Sequence, residues 1–175
     1  MYQRRPLEFP QAGSPEYRML LEAGSRSAVF ILPEYFGFDS IRGKIRELPT
    51  TSGKILEKLL SLSGSPEFKD TLIAGGTIIH EDKGNYHNAI PVLFNGNVLA
   101  YYYKKNLFRR EKRFLSAGRQ NLIIPHPVTG QKAGFMICAD VLTGENFSAY
   151  RQTDHIYIPV ASPFRAQDTP EIQAE

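Results

Sequence analysis

The feature that most constrains the fold of this chain is a succession of short apolar runs, each bounded by turn-forming residues. The run Ala28–Leu32 contains no polar side chain and is followed by Pro33, which is typical of a strand buried on both faces. Asn95-Gly96 lies between two further runs and is a strong hairpin signal. The predicted strands are Ala28–Leu32, Thr71–His80, Ala89–Phe94, Val98–Tyr103, Leu122–Ile124, Ala133–Ile137 and Ile156–Val160.

Two helices are predicted between these strands. Ser14 followed by Pro15 is typical of a helix start, and Gly24 is placed to end that helix. A second helix is predicted over Gly53–Leu62, where leucine and isoleucine side chains recur at helical spacing. Helices mixed with strands in this order predict an α/β domain.

Composition agrees with a single globular domain. The chain has 175 residues, of which 42% are hydrophobic and 22% charged, and its formal net charge is +3. These values exclude a disordered chain, a coiled coil and a collagen-like repeat. The positive charge is too small to require a nucleic-acid partner.

The sequence gives no sign of export or of a membrane span. No apolar run approaches the roughly 20 residues that a membrane helix needs. Residues Met1–Gly13 are polar and lack the apolar core of a signal peptide. The single cysteine allows no internal disulfide, which fits a reducing compartment. We therefore predict a cytoplasmic protein without a membrane partner.

Three reactive side chains follow predicted strands. Glu34 comes after the run Ala28–Leu32, Lys104 directly after Val98–Tyr103, and Cys138 directly after Ala133–Ile137. Functional sites of α/β sheets gather at the carboxyl ends of strands. Acyl transfer through a thioester needs at least three groups. These are a thiol, a carboxylate that accepts the thiol proton, and an ammonium that stabilises the oxyanion.

Each of these residues also has a simpler interpretation. The thiol fits an inert buried cysteine, the carboxylate fits a helix start, and the lysine fits a solvated basic loop. A Cys/His pair is the main catalytic alternative. No spacing favours any of the four histidines, His80, His87, His126 and His155.

Three ordered segments resemble the signatures of the nitrilase, or carbon–nitrogen hydrolase, superfamily. Phe30–Glu34 resembles the first, Tyr103–Phe108 the second, and Gly134–Asp140 the third, with Glu145 where that signature has a carboxylate. The connecting sequence is also similar to the family, in Ala74-Gly75-Gly76, Tyr86–Ala89, Asn95-Gly96 and the spacing from Glu111 to Gly118.

The resemblance implies a role for each candidate residue. Glu34 is the general base, Lys104 the oxyanion-stabilising lysine and Cys138 the nucleophile. Glu111 positions Lys104 or the substrate, and the backbone N–H of Ala139 is a second oxyanion donor. It further implies a small amide or nitrile substrate, no metal or organic cofactor, and a homo-oligomer formed near the cysteine.

The resemblance also implies a partial four-layer α-β-β-α sandwich. Family domains open with a strand before the first helix and continue well beyond the cysteine strand. We therefore expect a truncated domain: an irregular segment over 1–13, the incomplete hydrolase-like domain over 14–162 and a polar tail over 163–175. Thr143-Gly144 stands where members of the family usually have an apolar residue and a proline.

Two further functions remain open at this point. The first is an inactive scaffold that keeps the sandwich; an inert Cys138 would favour it, and a reactive thiol of low pKa would favour the enzyme. The second is a single-stranded nucleic-acid-binding module. Its basic and aromatic residues are Lys104, Lys105, Arg109, Arg110, Lys112, Arg113, Tyr101, Tyr102, Tyr103, Phe108 and Phe114.

Overall fold

The structure, a computed structural model, describes residues 9–26, 28–36 and 47–161. The predicted tail over 163–175 and most of the segment over 1–13 therefore lie outside the described residues. The helices are α1 (Pro15–Gly24), α2 (Leu48–Ser63) and α3 (Gly144–Ser148). The strands are β1 (Val29–Ile31), β2 (Leu72–Ala74), β3 (Ile78–Asp82), β4 (Asn85–Phe94), β5 (Asn97–Tyr103), β6 (Leu122–Pro125), β7 (Lys132–Phe135) and β8 (His155–Tyr157).

The strands form two sheets. In the first, β1 and β2 are parallel, β2 pairs with β4, and β4 also pairs with β3 and β5. Since β4 is antiparallel to both β2 and β5, strands β1 and β5 run in the same direction. In the second sheet, β7 lies between the antiparallel β6 and the parallel β8.

The layers are defined by two apolar clusters on opposite faces of the first sheet. One cluster packs α2 against that sheet, through residues such as Leu59, Ile73 and Leu93. The other fills the space between the sheets, where Ile90 and Val92 face residues that include Phe135. A helical layer and two stacked sheets are present, as the partial sandwich requires. On the second sheet, the ring of Tyr150 lies against Gly134.

The predicted start of α1 is confirmed. The Ser14 hydroxyl accepts a hydrogen bond from the Tyr17 N–H at 3.1 Å, and Pro15 occupies the first turn. Helix α2 begins at Leu48, earlier than the predicted Gly53, because proline is tolerated in a first turn.

The single strand predicted over Thr71–His80 is wrong: the structure has β2 and β3, separated by Gly75–Thr77. Gly76 has φ +70°, and a Cβ there would lie 2.7 Å from the carbonyl oxygen of Pro33. The strand breaks here because the backbone that follows β1 passes directly over this glycine.

Within the described ranges, no helix combines the length and the apolarity needed to cross a membrane.

Candidate active site

Glu34 is positioned by the break between β2 and β3. The chain leaves β1 beside β2, where the Leu32 N–H donates to the Ala74 carbonyl at 3.0 Å. The next turn is held by the Thr77 hydroxyl, which accepts a hydrogen bond from the Tyr35 N–H at 3.0 Å. Tyr35 has φ +57°, a conformation that is rare for a residue other than glycine. The turn places the Glu34 side chain in the interior, where the residue is 2% exposed.

Lys104 is buried between two carboxylates. Its ammonium lies 2.8 Å from Glu34 Oε1 and 2.9 Å from Glu111 Oε2, and the residue is 2% exposed. Burial alone would lower the pKa of Lys104, but the two negative charges outweigh burial and raise it. The interpretation of Lys104 as a solvated loop lysine is therefore wrong.

Glu111 lies in the short 3-10 segment Arg109–Arg113 and points back into the site. Its Oε2 accepts a hydrogen bond from the Phe108 N–H at 2.7 Å, and its Oε1 accepts one from the Tyr35 hydroxyl. Burial opposes ionisation of this carboxyl. The hydrogen bonds from Tyr35 and Phe108 and the charge of Lys104 nevertheless lower its pKa.

Cys138 stands at a sharp turn after β7. Its φ is +42°, and its N–H donates to the Pro159 carbonyl at 3.0 Å. The N–H of Asp140 donates to Ile137 at 2.9 Å. The Ala139 N–H lies between these two groups in the turn.

The Cys138 thiol interacts with the other two residues of the predicted triad. Burial raises the pKa of Cys138, and so does the negative charge of the nearby Glu34. The nearby Lys104 ammonium lowers the pKa only in part. The resting group is therefore a thiol, and forming the thiolate requires proton transfer. A thiol of low pKa was expected to favour the enzyme, but the pKa of Cys138 in the resting site is raised.

Asp140 connects the cysteine turn to the segment that follows Lys104. Its carboxylate accepts hydrogen bonds from the backbone N–H groups of Lys105 at 3.0 Å, Asn106 at 2.6 Å and Ile137 at 2.9 Å. It also accepts one from the Tyr102 hydroxyl at 2.8 Å. Asp140 is fully buried, so these four donors hold it rigidly.

The structure thus brings together Glu34, Lys104, Glu111 and Cys138, with Ala139 beside the sulfur-bearing residue. Sequence reasoning did not assign roles to Tyr35, Asn88 or Asp140. The available signals were the position of Tyr35 directly after Glu34, that of Asp140 two residues after Cys138, and the presence of Asn88 in the segment before Lys104. The side chain of Glu145 lies outside what the structure describes.

The histidines make their contacts elsewhere. His87 Nδ1 lies 2.8 Å from the Ser116 carbonyl, and His126 Nε2 lies 2.8 Å from the Ala28 carbonyl. His80 Nδ1 lies 3.0 Å from the Tyr103 hydroxyl, and the His155 ring packs near Tyr157. No contact of a histidine with the thiol supports a Cys/His pair in the described part of the chain.

A cavity of about 480 Å³ adjoins the cysteine turn. Its volume is within the usual range of small-molecule sites. The cavity is lined by Lys105, Asn106, Leu107, Phe108, Lys112, Ala117, Ala139, Leu142 and Thr143.

Within residues 9–26, 28–36 and 47–161, no group of three or more histidine, cysteine or acidic side chains is arranged to hold a metal ion.

Comparison with known sequences gives one family and one relative. A family model described as carbon-nitrogen hydrolase matches residues 19–169. A segment of 79 residues is 34% identical to the glutamine-dependent NAD(+) synthetase of Acinetobacter baylyi, covering 43% of this chain and 14% of that protein.

Solved structures show the same fold at low sequence identity. The glutamine-dependent NAD+ synthetase of Acinetobacter baumannii has a TM-score of 0.67 and 21% identity, over 91% of this chain and 32% of that one. Saccharomyces cerevisiae Nit3, of the nitrilase superfamily, has a TM-score of 0.66 and 20% identity, over 95% and 65%. A carbon-nitrogen hydrolase from Helicobacter pylori has a TM-score of 0.68 and 19% identity, over 94% and 61%. The predicted nitrilase-type α/β fold is confirmed, and this chain spans less than two thirds of each of these relatives.

Proposed function

This chain belongs to the carbon–nitrogen hydrolase family, and we propose that it hydrolyses a non-peptide carbon–nitrogen bond through a thioester on Cys138. The observation that carries the proposal is the proximity of the three groups: Glu34 forms an ion pair with Lys104 at 2.8 Å, and the charges of both residues act on the Cys138 thiol. Glu34 is the proposed general base, and Lys104 and the Ala139 N–H are the proposed oxyanion donors.

The first half of the reaction begins with proton transfer. As the sulfur forms a bond to the amide carbon, Glu34 takes the thiol proton, and the carbonyl π electrons move to oxygen. Lys104 and the Ala139 N–H stabilise that oxygen. When the carbon–nitrogen bond breaks, Glu34 returns the proton to the leaving nitrogen, which departs as ammonia or an amine and leaves a thioester.

The second half releases the acid. Glu34 accepts a proton from water as the water oxygen attacks the thioester carbon. The tetrahedral intermediate then collapses, the carbon–sulfur bond breaks, and the proton on Glu34 returns to Cys138. A nitrile would enter the same sequence as a thioimidate, which loses ammonia after water adds.

The substrate class to test first is a small carboxamide. One relative is named as glutamine-dependent and other structural neighbours from Nesterenkonia are named as amidases, which supports an amide before a nitrile. We propose that the cavity beside Ala139 takes the acyl part of the substrate, because its wall includes the residue after the nucleophile.

Assembly and location are also proposals. Leu142 is 77% exposed and Phe147 41% exposed, and both lie just after Cys138 in the sequence. Such apolar side chains support the homo-oligomer that the family resemblance implies, and light scattering on the purified chain tests it. A cytoplasmic location rests on the single cysteine.

Intact-protein mass spectrometry after incubation with amides and nitriles tests the reaction. We expect a mass increase equal to the acyl group, on the wild-type chain and not on Cys138→Ala. Absence of both an adduct and a released acid across the panel would instead favour the inactive scaffold. Nucleic-acid binding is weakened as an alternative because Lys104 and Tyr102, two members of its basic and aromatic set, are buried.

A further inference from the structure

Asn88 lies at the centre of the candidate active site, although the proposed reaction gives it no role. Its side-chain nitrogen is 2.8 Å from Glu111 Oε1, 3.1 Å from Glu34 Oε1 and 3.0 Å from the Tyr35 hydroxyl. The residue is fully buried.

Strand β4 places Asn88 there. Alternate residues of a strand share a face, and Asn88 therefore continues the row of Ile90 and Val92, which pack between the sheets. Strand β4 separates β2 from β5, so this row ends between the segments that carry Glu34 and Lys104. The Asn88 carbonyl also accepts a hydrogen bond from the Lys104 N–H at 2.8 Å.

The surroundings fix the orientation of the amide. Its nitrogen faces two carboxylates, which accept hydrogen bonds, whereas its oxygen has no hydrogen-bond partner among the described residues. The reversed amide would place oxygen against both glutamates. Only the observed orientation lets the Asn88 side chain donate to both carboxylates.

Around Asn88, two carboxylates face a single ammonium, so the negative charges exceed the positive charge. Glu34 and Glu111 share one ammonium, that of Lys104. The other titratable groups that face this point, the Cys138 thiol and the Tyr35 hydroxyl, have raised pKa values and are neutral. Two buried carboxylates at one site normally share a proton, because two like charges are costly in a medium of low dielectric constant.

We propose that Asn88 is a positioning residue that keeps Glu34 and Glu111 ionised together around the single ammonium. Its amide donates to both carboxylates, which favours their charged forms. Glu34 therefore remains able to accept the Cys138 proton. The inference rests on the proposed function, since it concerns the proposed general base.

The pH dependence of Cys138 alkylation tests the inference without a substrate. The chain has one cysteine, so iodoacetamide reports this thiol alone. The variant Asn88→Leu keeps a similar volume and removes the donors. We expect the acid limb of its rate profile to move up by about one pH unit, which lowers the alkylation rate near pH 5 roughly tenfold relative to wild type.

Ile90→Val is the matched control, because it loosens the same row of β4 without touching a carboxylate. We expect it to leave the acid limb unmoved. An unmoved limb in Asn88→Leu overturns the inference, and so does an equal shift in both variants, since the shift would then follow from destabilisation. If Asn88→Leu does not fold, Asn88→Ala decides, because alanine also removes both donors: an upward shift supports the inference and an unchanged limb overturns it.

The two proposals fail in different ways. If no amide or nitrile yields either an acyl adduct or a released acid with the wild-type chain, the proposed function fails, whatever the alkylation profiles show. If adducts form and the acid limb does not depend on Asn88, only the inference fails.

Discussion

The Tyr102 hydroxyl donates a hydrogen bond to the Asp140 carboxylate at 2.8 Å and so joins the two sheets behind the candidate active site. Tyr102 lies on β5 two residues before Lys104, and Asp140 lies two residues after Cys138. The same carboxylate accepts backbone N–H groups from both segments. A fully buried carboxylate therefore ties the segment that carries the ammonium to the segment that carries the sulfur.

Asp140→Ala should destabilise the chain by about 3 kcal/mol or more, because it leaves buried donors without an acceptor. Tyr102→Phe removes one of the four donors and should cost about 1 kcal/mol. Urea unfolding measures both. Asp154→Ala is the control, since Asp154 is exposed and accepts one hydrogen bond, from the Lys132 N–H. Equal losses for Asp140→Ala and Asp154→Ala would contradict the role given to Asp140.

Cys138→Ala should lower turnover of any accepted amide by at least about 10³-fold, as loss of a catalytic nucleophile does. The fold should remain, because alanine keeps the Cβ and meets the same constraint at φ +42°. Product release and thermal unfolding are measured on the same preparation. Turnover that persists in this variant would remove the thioester from the mechanism.

Lys104→Met should destabilise the chain by roughly 3–5 kcal/mol, since it leaves two buried carboxylates without their cation. The penalty should shrink at acidic pH, where the carboxylates take up protons. Lys105→Met is the matched control, because the Lys105 ammonium donates a hydrogen bond to exposed Asn121, at 2.9 Å, and not to a buried carboxylate. A similar loss for both variants would mean that the ion pairs contribute little.

Glu111 should make stability depend on pH in the acid range. Its pKa is lower in the folded chain than the ordinary 4.5, so the unfolded chain binds more protons. The stabilisation is fully present above pH 4.5 and is lost as the pH falls through the lowered pKa. Glu111→Gln should therefore show a flatter decline of the free energy of unfolding below that pH, whereas Glu22→Gln, at an exposed helix position, should follow wild type.

Two glycines should respond oppositely to alanine. Gly53 lies in α2 with open space around its Cβ position, so Gly53→Ala should stabilise the chain by about 0.5–1 kcal/mol. A Cβ at Gly118 would lie 2.1 Å from the Tyr103 carbonyl oxygen, directly before Lys104. Gly118→Ala should therefore lower the melting temperature and also the alkylation rate of Cys138. Equal effects at the two positions would contradict this packing.

The strands that carry the site were predictable from local pattern. The apolar runs Ala28–Leu32 and Val98–Tyr103 mark β1 and β5 without reference to the rest of the chain, and their ends locate Glu34 and Lys104. The break at Gly75–Thr77 was missed, although Gly75-Gly76 is itself a turn signal. It depends on the Pro33 carbonyl, which is distant in sequence and close in space.

The α/β class, the family resemblance and the candidate carboxylate, ammonium and thiol could all be read from residue type and spacing, because these are local properties of the chain. The tertiary structure decided how these groups share charge. In the folded chain, one lysine lies between two glutamates, an asparagine donates to both, and the pKa of the thiol is raised. These features depend on burial and on short distances. Residues far apart along the chain are buried together and come close only when the sheets pack.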